Sequence, residues 1–343
     1  MTMVARGGWG LDFSRARQGQ YEGCLLGLAL GDALGAPVEF LKLDEIRDEY
    51  GPDGIAGLEP WREFRAGSFT DDTQMSLATA RGCVDAYLAL RHGDVWRPAQ
   101  AVYRRYLAWL RTQDNPYTNR APGATCLWAL RSGRMGTWEA PFNNRKGCGG
   151  VMRVAPAGLA FPPGQAFRYG AEFAAITHGH PSGYLSAGVL AEVVALLLEG
   201  QDLPHCVDAS VKSLKRWQGH EETLAKVEQA RGLATDAVAP HEAIPSLGEG
   251  WVGEEALAIA LYCSLYLQRD WEAAVLAAVN HSGDSDSTGS ITGAILGALH
   301  GSDALPSQWI SQLESASGIK AIADDLYLVV REGVEPLSQD DNS

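Results

Sequence analysis

The chain has 343 residues, and Asp plus Glu outnumber Lys plus Arg by 42 to 28, for a formal net charge of −14. At 46% hydrophobic and 20% charged residues it can build a large core, which excludes disorder for the bulk of the chain. Its acidity argues against a nucleic-acid or anionic-membrane binder, because an excess of Lys and Arg is what neutralises phosphates.

Residues 1–19 mix arginines with glycines, lack the apolar stretch of a signal peptide, and read as an N-terminal extension. Helical periodicity then predicts helices over 23–34, 71–91, 98–112, 166–175, 183–199, 221–231, 254–267, 271–279, 290–299 and 306–313. Strand alternation is scarce, so the expected fold class is all-α. The Ala-, Pro- and Gly-rich stretch 234–250 reads as a long surface loop, and 332–343 as an acidic tail. One domain is expected over 20–331. The most apolar runs, 24–30 and 193–198, are shorter than the roughly 20 residues a bilayer requires. Six scattered cysteines without a CxxC pair suit reduced core thiols and a cytoplasmic location.

Two sets of glycines recur at steps of four: Gly23, Gly27, Gly31 and Gly35, then Gly289, Gly293, Gly297 and Gly301. On a helix that spacing makes a stripe. Each interior Gly costs about 1 kcal/mol relative to Ala, so close approach of a second helix or of a ligand is expected to compensate.

Chemistry concentrates in two acidic, hydroxyl-bearing clusters at predicted helix starts. The first is Ser68-Phe69-Thr70-Asp71-Asp72-Thr73; the second is Gly283-Asp284-Ser285-Asp286-Ser287-Thr288. Either alone fits ordinary capping, with acids favoured by the helix dipole. Together they make an oxygen-only set suited to Mg²⁺, Mn²⁺ or Ca²⁺ and not to zinc. Convergence demands cations, because two carboxylates 4 Å apart repel by about 4 kcal/mol at an effective dielectric of 20. An EF-hand is excluded: the twelfth position counted from Asp284 is Ile295, where that loop needs Glu. Residues 143–153 (NNRKGCGGVMR) offer glycines with Arg145, Lys146 and Arg153, either a phosphate cradle or a plain glycine-rich turn. They match neither the P-loop nor the dinucleotide pattern. Thr177-His178-Gly179-His180-Pro181 supplies two imidazoles of structural or functional use.

In this order the segments resemble the ADP-ribosylglycohydrolase family. The matching stretches are GCLLGLALGDALGAPVEF (23–40), SFTDDTQM (68–75), GCGGVMRVAPAGL (147–159), THGHPSGY (177–184), EEALAIALYC (254–263) and GDSDSTGSITGAILGAL (283–299). The resemblance implies a compact orthogonal helical bundle with a binuclear Mg²⁺ site, Mn²⁺ being a possible substitute. It implies Thr70, Asp71 and Asp72 as one set of metal ligands and Asp284, Asp286 and Ser287 as the other. Many members have Thr at the Ser287 position. Glu39 matches a glutamate near the metals, and together with Asp71, Asp72 and Asp286 forms the implied catalytic group. The diphosphate-binding segment corresponds to Arg145, Gly147, Cys148, Gly149, Gly150 and Met152, with Cys148 where many relatives carry Asn. His178 matches a histidine that contacts ribose.

The motif variants look most like the branch that cleaves ADP-ribose from arginine. The implied substrate is an ADP-ribosylated protein, with an ADP-ribosyltransferase toxin as a further partner and no nucleic acid or membrane. Alternatives left open are an ADP-ribose-binding or immunity protein without turnover, and a hydrolase of serine-linked ADP-ribose or of a small ADP-ribose metabolite.

Overall fold

The computed structural model describes residues 18–333, so nearly all of the expected tail and of the expected N-terminal extension lie outside the described residues. Sixteen α-helices follow one another: α1 (Gln18–Gly35), α2 (Leu43–Tyr50), α3 (Asp71–Arg91), α4 (Pro98–Thr112), α5 (Ala124–Arg131), α6 (Ala155–Ala160), α7 (Gln165–Ala175) and α8 (Pro181–Leu198). The second half holds α9 (Leu203–Leu214), α10 (Glu221–Thr235), α11 (Pro240–Leu247), α12 (Gly253–Tyr266), α13 (Trp271–Val279), α14 (Ser285–His300), α15 (Ser307–Gln312) and α16 (Ala316–Tyr327). No β-strand forms among the described residues, and the fold is all-α.

The expected loop at 234–250 is corrected by α11. Pro240 starts that helix where a missing N–H costs nothing, and Ala243, Ile244 and Leu247 bury one face. Proline and glycine content hid this short apolar period. α8 corrects the expectation that every apolar stretch is too short for a bilayer. Its 18 residues have a mean hydropathy of 1.6, long and apolar enough by composition to cross one, yet 89% of the window is buried inside the protein. Gly183, Gly188 and Glu192 break the run into pieces that look short in sequence.

The glycine stripes receive a packing explanation. α1 and α14 run antiparallel, with Gly23, Gly27, Gly31 and Gly35 facing Gly297, Gly293, Gly289 and Ser285. A Cβ on Gly31 would overlap the carbonyl of Gly289, so the backbones approach as only glycine permits. The compensating partner is therefore a helix. This pairing brings the N-terminus of α14 to the C-terminal end of α1. Asp32, one turn before that end, draws in α3 as well: its Oδ1 accepts from Thr70 N (2.8 Å), and its Oδ2 from Thr73 N (2.9 Å) and Thr73 Oγ1 (2.5 Å). Two helix N-termini thus meet over the end of one buried helix.

Candidate metal centre

Thr70 caps α3, its hydroxyl accepting from Asp72 N at 3.2 Å, and Asp284 caps α14 by accepting from Ser287 N at 3.3 Å. The capping reading of each cluster is therefore right as far as it goes. The clusters also touch each other: Ser287 Oγ donates to Asp72 Oδ1 at 2.9 Å, across 215 residues of sequence. Asp71 reaches the same space and accepts from Gly123 N at 3.3 Å. Glu39 comes from the turn after α1, and one carboxylate oxygen each of Glu39, Asp284 and Asp286 lie within 4.8 Å of one another. Thr70, Asp71, Asp72, Asp284, Asp286 and Ser287 are each at most 5% exposed, while Glu39 is half-buried.

Electrostatics reflect this crowding. Burial, then the charge of Asp286, pushes the carboxyls of Asp71, Asp72 and Asp284 well above the usual range. Glu39 is pushed up to about 11 by burial and by Asp286, Asp284 and Asp71, and Asp32 to about 7 by burial and Asp286. Asp286 is raised by burial, which outweighs its hydrogen bonds. Asp286 is the common neighbour. Among the described residues, none of Glu39, Asp71, Asp72, Asp284 or Asp286 forms an ion pair with Lys or Arg. Buried acids left uncompensated by the protein, with hydroxyls between them, fit hard divalent cations.

The glycine loop differs from the expected cradle. Gly147 pairs with Val252, and the N–H of Cys148, at the head of a tight turn over Cys148–Gly150, donates to Trp251 O at 3.1 Å. Gly149 lies close against Cys126 and the ring of His178, whose Sγ and Cε1 would be 3.0 and 3.1 Å from a Cβ there, and Gly150 packs against Gly183. Nor is the loop as basic as its sequence reads. Lys146 is paired with Glu222 and Glu254. Arg153 is fully buried, stacking 4.4 Å from the Tyr106 ring centroid and donating to Thr177 Oγ1 at 2.6 Å. Only Arg145 is exposed. Met152 is buried with its sulfur 4.0 Å from Ser287 Oγ, so the loop's end touches the acidic centre.

Cys148 corrects the reading of six core thiols: five are buried, whereas Cys148 is half-buried with Sγ 2.6 Å from Asp284 Oδ2. The two histidines divide their work. His180 Nδ1 caps α8 by accepting from Ser182 N at 3.1 Å. His178 is buried beside the loop, its Nδ1 2.8 Å from Thr177 Oγ1; burial and Arg153 lower it to about 3, so it is neutral. Thr177 Oγ1 bridges Arg153 and His178 Nδ1, and His178 Nε2 faces the Gly147–Gly149 turn.

Sequence reasoning missed two features. Asp32 organises the start of α3, and a lone acid inside an otherwise apolar, glycine-striped helix was the available signal. The second is the 249–251 segment, where Glu249 O accepts from Asp284 N (2.8 Å). Trp251 stacks on the exposed Phe40 with ring centroids 5.1 Å apart, and Lys42 pairs with Glu249 at 2.7 Å. No motif marks it.

Comparison with known proteins agrees with this geometry. An ADP-ribosylglycohydrolase family profile matches residues 14–335. An ADP-ribosyl-dinitrogen reductase glycohydrolase of Rhodospirillum rubrum is 29% identical, over 85% of this chain and 89% of its own. ADP-ribosylarginine hydrolase Tri1 of Pseudomonas putida is 26% identical, over 89% and 77%. A solved structure described as an ADP-ribosylglycohydrolase-related protein complex superposes with a TM-score of 0.66 at 26% identity, covering 91% of this chain and 98% of that one. With nearly the whole chain matched, and the acidic motifs of that family meeting in one buried centre, the protein belongs to the ADP-ribosylglycohydrolase family and is a hydrolase of that family.

Proposed function

We propose that this enzyme hydrolyses the N-glycosidic bond between ADP-ribose and a protein arginine, with two Mg²⁺ ions as cofactors, reversing mono-ADP-ribosylation. The observation carrying the proposal is the convergence of two distant acidic helix starts, made tangible by the Ser287–Asp72 hydrogen bond. Thr70, Asp71 and Asp72 would hold one ion, and Asp284, Asp286 and Ser287 the other. When bound, the cations offset the acidic charge and supply Lewis acidity for water activation beside the anomeric carbon.

The remaining work belongs to the chain. His178 Nε2, beside the Gly147–Gly149 turn, is placed to hydrogen-bond a ribose oxygen. The carboxylates around Asp286 favour positive charge developing on the ribose ring. Glu39, half-buried beside Asp284 and Asp286, is placed to receive the proton of the attacking water once those acids are neutralised. The substrate guanidinium already carries its proton, so C–N cleavage releases neutral guanidine, a tolerable leaving group that then takes up the proton Glu39 received from water. Because Lys146 and Arg153 are otherwise engaged, Arg145 and the backbone of the Gly147–Gly150 turn are left to meet the diphosphate.

Arginine is favoured over other acceptors by the similarity to the ADP-ribosylarginine hydrolase Tri1, which extends over 89% of this chain. A further support is the Phe40–Trp251 pair: Phe40 is 62% exposed next to Glu39, and aromatic faces attract guanidinium. The free cysteines, five of them buried, suit a reducing cytoplasmic setting. The test is parallel release of ADP-ribose from arginine-linked and serine-linked substrates with Mg²⁺ present. Arginine-linked release should dominate and should be abolished in Asp71→Ala and Asp286→Ala. Faster serine-linked release would overturn the linkage, and retained activity in both variants would overturn the ligand assignment.

A further inference from the structure

The glycine turn is not held by its backbone alone. Residues 145–148 run antiparallel to 251–253: Cys148 N donates to Trp251 O at 3.1 Å, Gly147 pairs with Val252, and Gly253 N donates to Lys146 O at 2.8 Å. A two-stranded contact this short is marginal by itself. Lys146 secures it. Its ammonium donates to Glu254 in the first turn of α12 and, at 2.8 Å, to Glu222 Oε1 in the first turn of α10. The Ser182 hydroxyl, in the first turn of α8, donates to the other oxygen of Glu222. The Glu254 side chain is 3% exposed, and its Oε2 has no hydrogen-bond partner among the described residues, so its charge depends on Lys146. Breaking a buried pair by removing one partner is strongly destabilising, which keeps Lys146 on Glu254 when an anion arrives. Charge points the same way. One ammonium between two carboxylates leaves the group formally at −1, and such a group repels a diphosphate.

We infer that Lys146 is a positioning residue for the substrate: a clamp, not a phosphate ligand, that fixes the register of the Gly147–Gly150 turn against the Trp251 segment. This rests on the reading that the turn meets the diphosphate of ADP-ribose and that Trp251 lies on the acceptor side. The paired segments then carry both ends of the substrate. One strand leads into the turn, and the other presents Trp251 stacked on Phe40. Fixing their register once aligns the diphosphate and the acceptor together. The anchors are the starts of two packed helices, so the clamp ties a surface turn to the rigid part of the fold.

The test is calorimetric binding of ADP-ribose, with Mg²⁺ present, to the full chain as wild type, Glu254→Leu, Glu222→Ala and Lys146→Arg. The two roles of Lys146 predict opposite signs. For an anion ligand, removing a carboxylate frees the ammonium and tightens ADP-ribose binding. For a clamp, the anchor is lost, and Glu254→Leu should bind about tenfold or more weakly, the scale on which misplacing a positioned group by about 1 Å acts. The Glu222 side chain is half exposed, so its truncation spares the core, and Glu222→Ala should show a smaller loss of the same sign. Lys146→Arg keeps a cation between both carboxylates and should retain most of the affinity. In turnover of an arginine-linked substrate the losses should fall on KM more than on kcat. Tighter or unchanged ADP-ribose binding in Glu254→Leu and Glu222→Ala would overturn the clamp and leave the proposed function standing. A wild type that binds no ADP-ribose would overturn the reading of the turn, and the clamp with it.

Discussion

A single methyl group added at Gly35 separates packing from chemistry. A Cβ there would sit about 1 Å closer to Ser285 O and to the Asp286 backbone than ordinary van der Waals contact allows. Those atoms form the first turn of α14, so the displacement falls on Asp286, the acid that its neighbours share. Gly23→Ala is the matched control. It meets Gly297 O and the Gly301 backbone at the far end of the same interface, twelve residues or about 18 Å along α1. In both variants overpacking costs about 1–3 kcal/mol, against about 1 kcal/mol gained in helix propensity. Each should therefore lose up to about 2 kcal/mol in a denaturant titration with metal chelated. Only Gly35→Ala should also bind Mn²⁺ more weakly, by about tenfold or more, since an error of about 1 Å in a positioned group costs on that scale or above. Calorimetric Mn²⁺ titration of both variants reads the difference. Equal Mn²⁺ affinity in the two would refute the claim that the glycine stripe seats the metal-facing acids.

Cation binding should depend on pH in a set direction. In the metal-free fold Asp71, Asp72 and Asp284 hold protons above the usual range, and Asp32 up to about 7, so between about pH 4 and 7 the folded chain binds more protons than the unfolded one. That contribution to stability is present at low pH and lost as pH rises. His178 and His281, lowered to about 3 and 4, act oppositely and lose stability as pH falls below about 6.5. Melting curves with Mg²⁺ or chelator should accordingly show a Mg²⁺ gain of about 2.7 kcal/mol at 100 times the dissociation constant near pH 7.5. The gain should shrink toward pH 5, and one that stayed constant would contradict the buried-acid account. Asp32→Asn should cost about 1–3 kcal/mol, because an amide cannot accept from Thr70 N, Thr73 N and Thr73 Oγ1 with both of its heavy atoms; unchanged stability would deny Asp32 its role in docking α3. Arg153→Met should raise the titration midpoint of His178, observed by imidazole NMR, because it removes the second cause of the depression. A midpoint that stayed the same or fell would deny Arg153 that effect on the ring.

How far the sequence could be read follows from where each signal lives. Spacing alone carried the glycine stripes, because a period of four on a helix is a local property, and so their face was legible while their partner was not. The acidic clusters could be recognised as helix starts from capping chemistry. Their meeting is a tertiary fact, knowable beforehand only through the resemblance. Charge was misread wherever pairing is non-local: Lys146 looks free until Glu222 and Glu254 arrive from α10 and α12, and Arg153 looks solvent-facing until Tyr106 and Thr177 enclose it. α11 was lost because its prolines resemble a loop while three apolar contacts make it a helix.

The same reasoning explains why the centre forms where α1 ends. The first turns of α3 and α14 present N–H groups that lack intrahelical partners and are taken up by Thr70, Asp32 and Asp284, together with the positive ends of two helix dipoles, which ease the burial of acids nearby. That help amounts to about 1 kcal/mol per helix end, well short of what four buried aspartates and a glutamate at close range require. Protonation of the raised carboxyls in the metal-free fold meets part of the difference, and packing supports the rest: the long, almost wholly buried contact of α1 with α14 is the element able to supply it, since both helices lead directly into the acidic turns. A methyl group on any of its glycines weakens that supply. A methyl group at Gly35 also shifts what it sustains, which is why the two ends of one interface are expected to answer differently to the same substitution.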